Sequence, residues 1–154
     1  MKDLFKSIAE FNTAMQISEN KSFGALPSPA ESELSVSMLA EELKEYSEAM
    51  KDHNAVEVAD GLTDILYLVV GAMRRHGLSD SKAMELFNEV HASNMSKVCK
   101  TEQEAANTVM YYRTCGVNSS AHQTLCGWVV KRTDGKVLKP ESYFKPDIER
   151  ILND

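Results

Sequence analysis

Apolar side chains recur every three or four positions through residues 3–97, which is the spacing of amphipathic helices. A stretch rich in Ser, Pro and Gly, from residue 18 to about residue 33, interrupts this pattern and predicts a loop. Gly77 follows the third apolar segment, in the position where helices commonly end. The pattern therefore predicts four helices, over residues 3–17, 35–51, 55–76 and about 80–97.

Beyond residue 97 the pattern changes. Thr101 begins a capped-helix motif that predicts a helix to about Cys115. Residues 123–131 are β-prone, and the turn-forming pair Asp134-Gly135 predicts a hairpin with residues 136–138. Two β segments cannot support a domain of their own. The sequence thus predicts one domain, residues 1–154, with an all-α four-helix core as its catalytic part (1–97), a small α+β appendage (98–140) and a C-terminal tail (141–154).

The charge and cysteine content narrow the possible functions. A net charge of −6 argues against a nucleic-acid binder, because affinity for the phosphate backbone comes from clustered Lys and Arg. The 3 cysteines show no CxxC spacing, which favours free thiols in a reducing compartment. The longest apolar run, residues 65–73, is shorter than the roughly 20 residues that cross a bilayer. We therefore expect a cytoplasmic protein without membrane or nucleic-acid partners.

The second predicted helix carries four glutamates. Glu41, Glu45 and Glu48 lie broadly opposite the apolar stripe, where solvated residues belong. Glu42 lies nearer to the stripe. For this helix alone, a solvated acidic face is a sufficient interpretation.

The third predicted helix is apolar nearly all round, which is typical of a helix buried in a bundle. It nevertheless carries Glu57, Asp60 and Asp64 along one narrow stripe. An unpaired buried carboxylate costs several kcal/mol, so a cation is needed nearby. No Lys or Arg occurs between Ala55 and Arg74, which leaves a basic group from elsewhere in the fold or a metal ion.

The short break between these helices favours the metal. Helices separated by residues 52–54 alone are expected to be antiparallel neighbours. Counting outward from His53 places the acids of both helices at matched heights across one seam. Carboxylate oxygens without sulfur or imidazole suit Mg²⁺, with Mn²⁺ as an alternative. The predicted ligands are Glu42, Glu45, Glu57, Asp60 and Asp64.

The same acids resemble a known signature. Glu41-Glu42-x-x-Glu45, followed by Glu57-x-x-Asp60 and then Asp64, resembles the EExxE…ExxD motif of the all-α nucleoside triphosphate pyrophosphohydrolases. This superfamily includes MazG, the dimeric dUTPases and phosphoribosyl-ATP pyrophosphohydrolase. A shifted alignment ends the second half at Asp64, which leaves open whether Asp60 or Asp64 is the principal ligand.

Two further segments resemble the phosphoribosyl-ATP pyrophosphohydrolase-like branch. One is residues 89–97, EVHASNMSK, and the other is residues 134–139, DGKVLK, followed by Tyr143 and residues 146–148. The resemblance implies a MazG-like bundle that cleaves a nucleoside triphosphate between its α and β phosphates. It implies Glu41, Glu45 and Glu48 as catalytic or supporting acids, and Asn94, Lys97, Lys136 and Lys139 as substrate-binding residues.

Two other functions remain open at this point. One is hydrolysis of phosphoribosyl-ATP in histidine synthesis, and the other is a non-enzymatic helical module that binds metal. A four-helix unit with an apolar third helix usually needs a partner. We therefore expect a homodimer or homotetramer with the active site near the subunit interface.

Overall fold

The computed structural model describes residues 1–24 and 27–153. Ala25 and Leu26, within the predicted loop, and Asp154 lie outside the described residues. The described residues form helices α1 (Lys2–Ala14), α2 (Pro29–Lys51), α3 (Ala55–Arg75), α4 (Asp80–Met95), α5 (Glu102–Thr114) and α6 (Ile148–Asn153), with strands β1 (Ser119–Thr124) and β2 (Gly127–Arg132). The chain is thus mostly helical with one small antiparallel sheet near its C-terminus, as the pattern predicted.

The chain divides into two compact units, residues 1–85 and residues 86–154. The first holds α1 to α3 and the beginning of α4. The second holds the end of α4, the sheet, α5 and α6. The predicted single domain, with its divisions at residues 97 and 140, stays a prediction.

Helix α2 begins earlier than predicted, and the loop before it is correspondingly shorter. Ser28 caps the helix by accepting from the backbone N–H of Glu31, and the Glu31 carboxylate accepts from the backbone N–H of Ser28 at 2.9 Å. Pro29 occupies the first turn, where its missing N–H has no cost. This capping box makes residues 29–34 helical despite their Ser, Pro and Glu content.

Helices α2 and α3 form the predicted antiparallel hairpin. Asn54 caps α3 by accepting from the backbone N–H groups of Val56 and Glu57 at 3.2 and 3.4 Å. His53, at φ 52°, adopts the left-handed conformation that reverses the chain. Across the seam a Cβ on Gly61 would lie 3.3 Å from the Tyr46 Cβ, so the two backbones approach closely at this level.

The prediction that α3 is buried is wrong for the single chain. Only Gly61 and Val70 of this helix are buried, and Glu57, Asp60 and Asp64 are all exposed. The apolar side chains that made α3 look like a central helix are in large part exposed too, with Val56 at 76%. The burial argument for a cation therefore fails within one chain, and the case for one depends on the proximity of the acids to one another.

The first unit has a small core where α1 meets α3. Phe5 and Ile8 of α1 pack with Val70 of α3 and Ala83 of α4. This contact orients α1 along the C-terminal half of α3. Asp60 and Asp64, in the N-terminal half of α3, lie near Glu42 of α2.

The hairpin of the second unit differs from the prediction. The strands are joined at Leu125 and Cys126, within the predicted 123–131 strand. Gly127 allows this turn because its φ of 133° is suited to glycine and because a Cβ there would lie 2.5 Å from the Cys99 carbonyl oxygen. The pair Asp134-Gly135 does form a turn, but residues 136–138 join β2 through a single bridge, Lys131 to Val137.

Helix α5 covers one face of this sheet, and the capped start predicted at Thr101 is confirmed. The second core contains Cys99, Ala105, Val130 and Leu138. Cys99, Cys115 and Cys126 are free thiols, and burial raises the pKa of the Cys99 thiol. Across residues 1–24 and 27–153, no helix has the length and apolar content that crossing a membrane requires.

Candidate active site

The carboxylates of α2 and α3 meet around Glu42. Its pKa lies above the usual range for a glutamate, first because of partial desolvation and then because of the neighbouring negative charges of Glu45, Asp64, Glu41 and Asp60. Two of these neighbours belong to α2's own turns and two come from α3 across the seam. The hairpin register predicted from His53 thus brings the acids of the two helices together.

The remaining acids of the predicted set lie less centrally. Glu48 forms an i,i+4 ion pair with Lys44 at 3.9 Å, with both side chains largely exposed, which is the solvated-face arrangement. Glu57 lies in the first turn of α3, where a negative charge favours the helix dipole. Neither Glu48 nor Glu57 is among the groups that raise the Glu42 pKa.

The central acids lack a cationic side chain. Within the part of the chain that the structure describes, none of Glu42, Glu45, Asp60 and Asp64 forms an ion pair with Lys, Arg or His. Repulsion among four carboxylates is therefore uncompensated by protein. A divalent cation would offset it, and an all-oxygen donor set is the one that Mg²⁺ prefers.

The acids do not form a closed metal cage. Over residues 1–24 and 27–153, no group of three or more acidic, histidine or cysteine side chains is gathered tightly enough to hold a metal ion. Mg²⁺ commonly keeps several waters and takes only one or two carboxylates, with phosphate oxygens of the substrate completing its shell. The donor set therefore fits an open magnesium site that the substrate completes, and it does not fit a structural metal site.

A groove of about 340 Å³ continues along α3 from the acids. Tyr67 and Gly71, which extend the stripe of Asp60 and Asp64, both line it. The ring of Phe11 meets the ring of Tyr67 edge to face, with centroids 5.7 Å apart. The groove is mainly apolar, with Arg75 at its edge.

An ion pair that the sequence did not predict fixes the loop beside this groove. Arg74 donates from Nε and Nη2 to the two carboxylate oxygens of Glu19, at 2.8 and 2.5 Å. Asn12, which is buried, donates to the same carboxylate at 2.7 Å. These donors hold the pKa of Glu19 below its usual range, with the Arg74 hydrogen bond as the largest cause. The only sequence signal was a pair of arginines at the end of a helix that carries no other basic residue.

In the second unit, the predicted substrate-binding residues of α4 lie together. The Lys97 ammonium donates to the Asn94 side-chain oxygen at 2.6 Å, just after the helix ends. Lys97 also acts electrostatically on the phenol of Tyr143, whose pKa is lowered first by a hydrogen bond to Ser93. The segment with Asn94 and Lys97 therefore lies beside the tail that carries Tyr143.

Lys139 joins the same group. Its ammonium lies over the Tyr143 ring, 4.4 Å from the centroid. Its backbone N–H donates to the Tyr112 phenol oxygen at 3.3 Å, so α5 holds the chain at this point. Among the described residues, Lys136 forms hydrogen bonds only through its backbone, which donates to the Asp134 carboxylate and accepts from the backbone N–H of Arg132. The structure thus pairs Lys97 with Asn94 and Lys139 with Tyr143, and among the described residues it records no contact of Lys136 with any of these.

No role for Ser93 or Tyr143 was predicted from the sequence. Ser93 is buried, and its hydroxyl donates to the Phe144 carbonyl at 2.8 Å and lies 3.4 Å from the Tyr143 phenol oxygen. No sequence signal pointed to Ser93, because its burial is visible only in the structure. Tyr143 stood within the resembling segment without a function assigned to it.

Known proteins match parts of this chain. The family model described as phosphoribosyl-ATP pyrophosphohydrolase matches residues 9–94, which include α2, α3 and all the candidate metal ligands. An uncharacterized protein, L479, from Acanthamoeba polyphaga mimivirus is 57% identical over 75 residues. That match covers 44% of this chain and 30% of the viral protein, so the chain spans less than a third of this relative. The chain belongs to the phosphoribosyl-ATP pyrophosphohydrolase family, within the MazG-like all-α superfamily.

Proposed function

We propose that the protein is a magnesium-dependent nucleoside triphosphate pyrophosphohydrolase that yields a nucleoside monophosphate and pyrophosphate. Membership of the family supports a pyrophosphohydrolase-like activity. The observation that carries the proposal is that Glu45, Asp60 and Asp64 act electrostatically on Glu42 across one seam, while none of the four forms an ion pair among the described residues. Such a cluster is unfavourable alone and becomes favourable with a divalent cation and a phosphate chain.

The position of each acid determines whether it would bind the metal or act as the general base. Glu42, Glu45, Asp60 and Asp64 would hold Mg²⁺, with Glu57 as a further ligand. Bound Mg²⁺ would supply charge neutralisation for the triphosphate and a lowered pKa for an attacking water. Glu41, adjacent to the centre, is the better placed general base, because Glu48 is paired with Lys44.

The phosphates also need positive partners. Residues 89–97 and 134–139 resemble the phosphoribosyl-ATP pyrophosphohydrolase-like branch, and that resemblance points to lysines for this role. Lys97 and Lys139 are proposed to hold phosphate oxygens, with Asn94 keeping Lys97 in place. Lys136 remains a proposal from the resemblance alone. Among the described residues, neither Lys97 nor Lys139 forms an ion pair with a carboxylate, which leaves both available to a ligand.

The groove along α3 is the proposed place for the nucleobase. It begins where the acid stripe ends, and its volume of about 340 Å³ lies within the range of small-ligand pockets. Phe11 and Tyr67 provide aromatic surface, against which a base can pack. The lining does not by itself select one base.

We also propose that α2 and α3 pair with a second copy of the chain to complete a MazG-like four-helix bundle. Large apolar side chains are exposed on both helices, including Val36 at 67% and Val56 at 76%. Exposed apolar surface of this extent marks an interaction site. A mass of 17.2 kDa by size-exclusion chromatography with light scattering would contradict a homodimer or homotetramer.

A second candidate is the hydrolysis of phosphoribosyl-ATP itself. The family match favours it, since the matched model carries that description. It uses the same α–β cleavage and the same acids, so geometry does not separate the two substrates. A non-enzymatic metal-binding module is the third candidate.

One experiment separates the three candidates. The protein is incubated with the common dNTPs and NTPs and with phosphoribosyl-ATP, first with Mg²⁺ and then with EDTA, and pyrophosphate release is measured. We expect Mg²⁺-dependent release from at least one dNTP or NTP. Release from phosphoribosyl-ATP alone would favour histidine synthesis, and release from none would favour the module.

A further inference from the structure

Two lysines of the second unit share one aromatic residue. The Lys139 ammonium lies 4.4 Å from the centroid of the Tyr143 ring. Lys97 acts on the phenol of the same tyrosine. Lys97 follows Ser93 by four residues, and the Ser93 hydroxyl lies 3.4 Å from the Tyr143 phenol oxygen, so Tyr143 lies beside the segment that carries Lys97.

The tyrosine itself is firmly held. The buried Ser93 hydroxyl donates to the carbonyl of Phe144, and the backbone N–H of Phe144 donates to the Ser96 hydroxyl at 3.2 Å. A second tether follows in the tail, where the backbone N–H of Asp147 donates to Glu89 at 2.9 Å. Helix α4 and the residue that follows it thus anchor the tail immediately after Tyr143.

The appendage anchors the other partner. The phenol oxygen of Tyr112, on α5, accepts from the backbone N–H of Lys139. Tyr112 packs against the core formed by Ala105, Val130 and Leu138. One tyrosine therefore fixes the Lys139 backbone while another lies beneath its ammonium group.

We propose that Tyr143 is a positioning residue that holds the Lys139 ammonium in a clamp for a diphosphate group, with Lys97 as the second cation. A ring face beneath an ammonium group attracts it and so restricts where it lies. A diphosphate group carries enough negative charge to bind both ammonium groups. The assignment of this diphosphate group to the substrate rests on the proposed function. The clamp would also give a role to α5, which lies outside the segment that the family model matches.

The test is the binding of inorganic pyrophosphate by isothermal titration calorimetry in EDTA, so that no metal-mediated binding contributes. We expect the wild-type protein to bind, and Tyr143→Leu and Lys139→Gln each to raise the Kd about tenfold. The double variant should lose little more than either single variant, because both act through one ammonium group. Tyr143→Phe, which keeps the ring, should stay within about twofold of wild type.

Lys131→Gln is the matched control. Lys131 is exposed and next to Val130, whose side chain enters the α5-facing core, so Lys131 points from the opposite face of the sheet. The Lys131→Gln substitution removes the same charge as Lys139→Gln and should leave the Kd for pyrophosphate unchanged. Circular dichroism on all variants checks that each is folded.

Absence of pyrophosphate binding by the wild type, an equal loss in Lys131→Gln, or additive losses in the double variant would each overturn the clamp. A Tyr143→Phe loss as large as that of Tyr143→Leu would also overturn it, because the ring would then not be the positioning element. These outcomes do not depend on hydrolysis. If nucleotides release pyrophosphate but the clamp test fails, the clamp is wrong and the proposed function stands. If the clamp test succeeds but no nucleotide releases pyrophosphate, the proposed function is wrong.

Discussion

The two units concentrate opposite charges by different means. In the first unit, Glu42, Glu45, Asp60 and Asp64 come together because two long helices joined by a three-residue break bring successive turns level. In the second unit, a buried serine and two tyrosines hold Lys139 beside the segment that carries Asn94 and Lys97. The acid cluster is a product of helix periodicity, whereas the lysine cluster is a product of tertiary packing.

This difference determines which kind of functional cluster can be recognised from the sequence alone. Clusters built on helix periodicity leave a visible spacing, and clusters built on loops do not. Neither cluster forms an ion pair among the described side chains, and we propose that each binds a ligand of opposite charge. An acid cluster suits the metal, and a lysine cluster suits the phosphate.

The largest expected effect comes from removing a charge of the acid cluster. Asp64→Asn should lower the pyrophosphate release rate about a thousandfold or more, because a ligand that neutralises the triphosphate is worth several kcal/mol in the transition state. The helical circular dichroism signal should stay nearly intact, since Asp64 is exposed. Asp52→Asn, at the exposed end of α2, is the control and should retain activity.

Removal of a charge of the lysine cluster should have a smaller effect. Lys97→Gln should raise the KM for the nucleotide about tenfold, because one charged contact to phosphate is lost. Mg²⁺ affinity without nucleotide should not change. An unchanged KM would contradict a substrate role for the second unit.

A stability measurement sharpens the contrast between paired and unpaired acids. Glu19→Gln should lower the free energy of unfolding by about 1–3 kcal/mol, because it weakens a part-buried, charge-assisted bidentate bond to Arg74. The lowered pKa of Glu19 means that its stabilisation is present above about pH 4.3, the ordinary carboxyl value, and is lost as the pH falls through the folded pKa. Denaturant unfolding of both proteins at neutral and acidic pH measures this effect, and Glu10→Gln, an exposed acid of α1, is the control.

The smallest expected effect is an increase in stability on substitution, opposite to that expected for Glu19→Gln. The pKa of Glu42 is raised, so protonation favours the folded protein, and this contribution is lost as the pH rises through the folded pKa. At neutral pH without metal, Glu42→Gln should therefore melt at a slightly higher temperature than wild type. Added Mg²⁺ should stabilise wild type more than the variant. A melting temperature lowered by the substitution would show that repulsion does not dominate at this site.

Much of the first unit followed from sequence. The α2–α3 hairpin and the level pairing of Glu42 with Asp64 were predictable, because helix periodicity and a short break leave little freedom. The exposure of α3 in the single chain was not predictable, because a pattern of apolar residues does not tell whether the same chain or another molecule covers them. The early start of α2 was hidden by Pro29, which breaks helices in the middle but begins them well.

The second unit was predicted less well, for reasons that are local and physical. The hairpin turn falls at Leu125 and Cys126 because Gly127 packs against the Cys99 carbonyl, a contact that no short-range signal reveals. The stronger turn pair, Asp134-Gly135, forms its turn beside a single bridge. Tyr143 stood in a recognised segment, yet its position beneath Lys139 depends on the tether to Ser93.

The central claim is that the acids of α2 and α3 form the magnesium centre. Electron paramagnetic resonance of Mn²⁺, with a nucleotide whose α–β bridge is a methylene group, tests it most directly. The account predicts that wild type and Asp52→Asn bind Mn²⁺ together with the nucleotide and that Asp64→Asn does not. Equal Mn²⁺ binding by wild type and Asp64→Asn would contradict it.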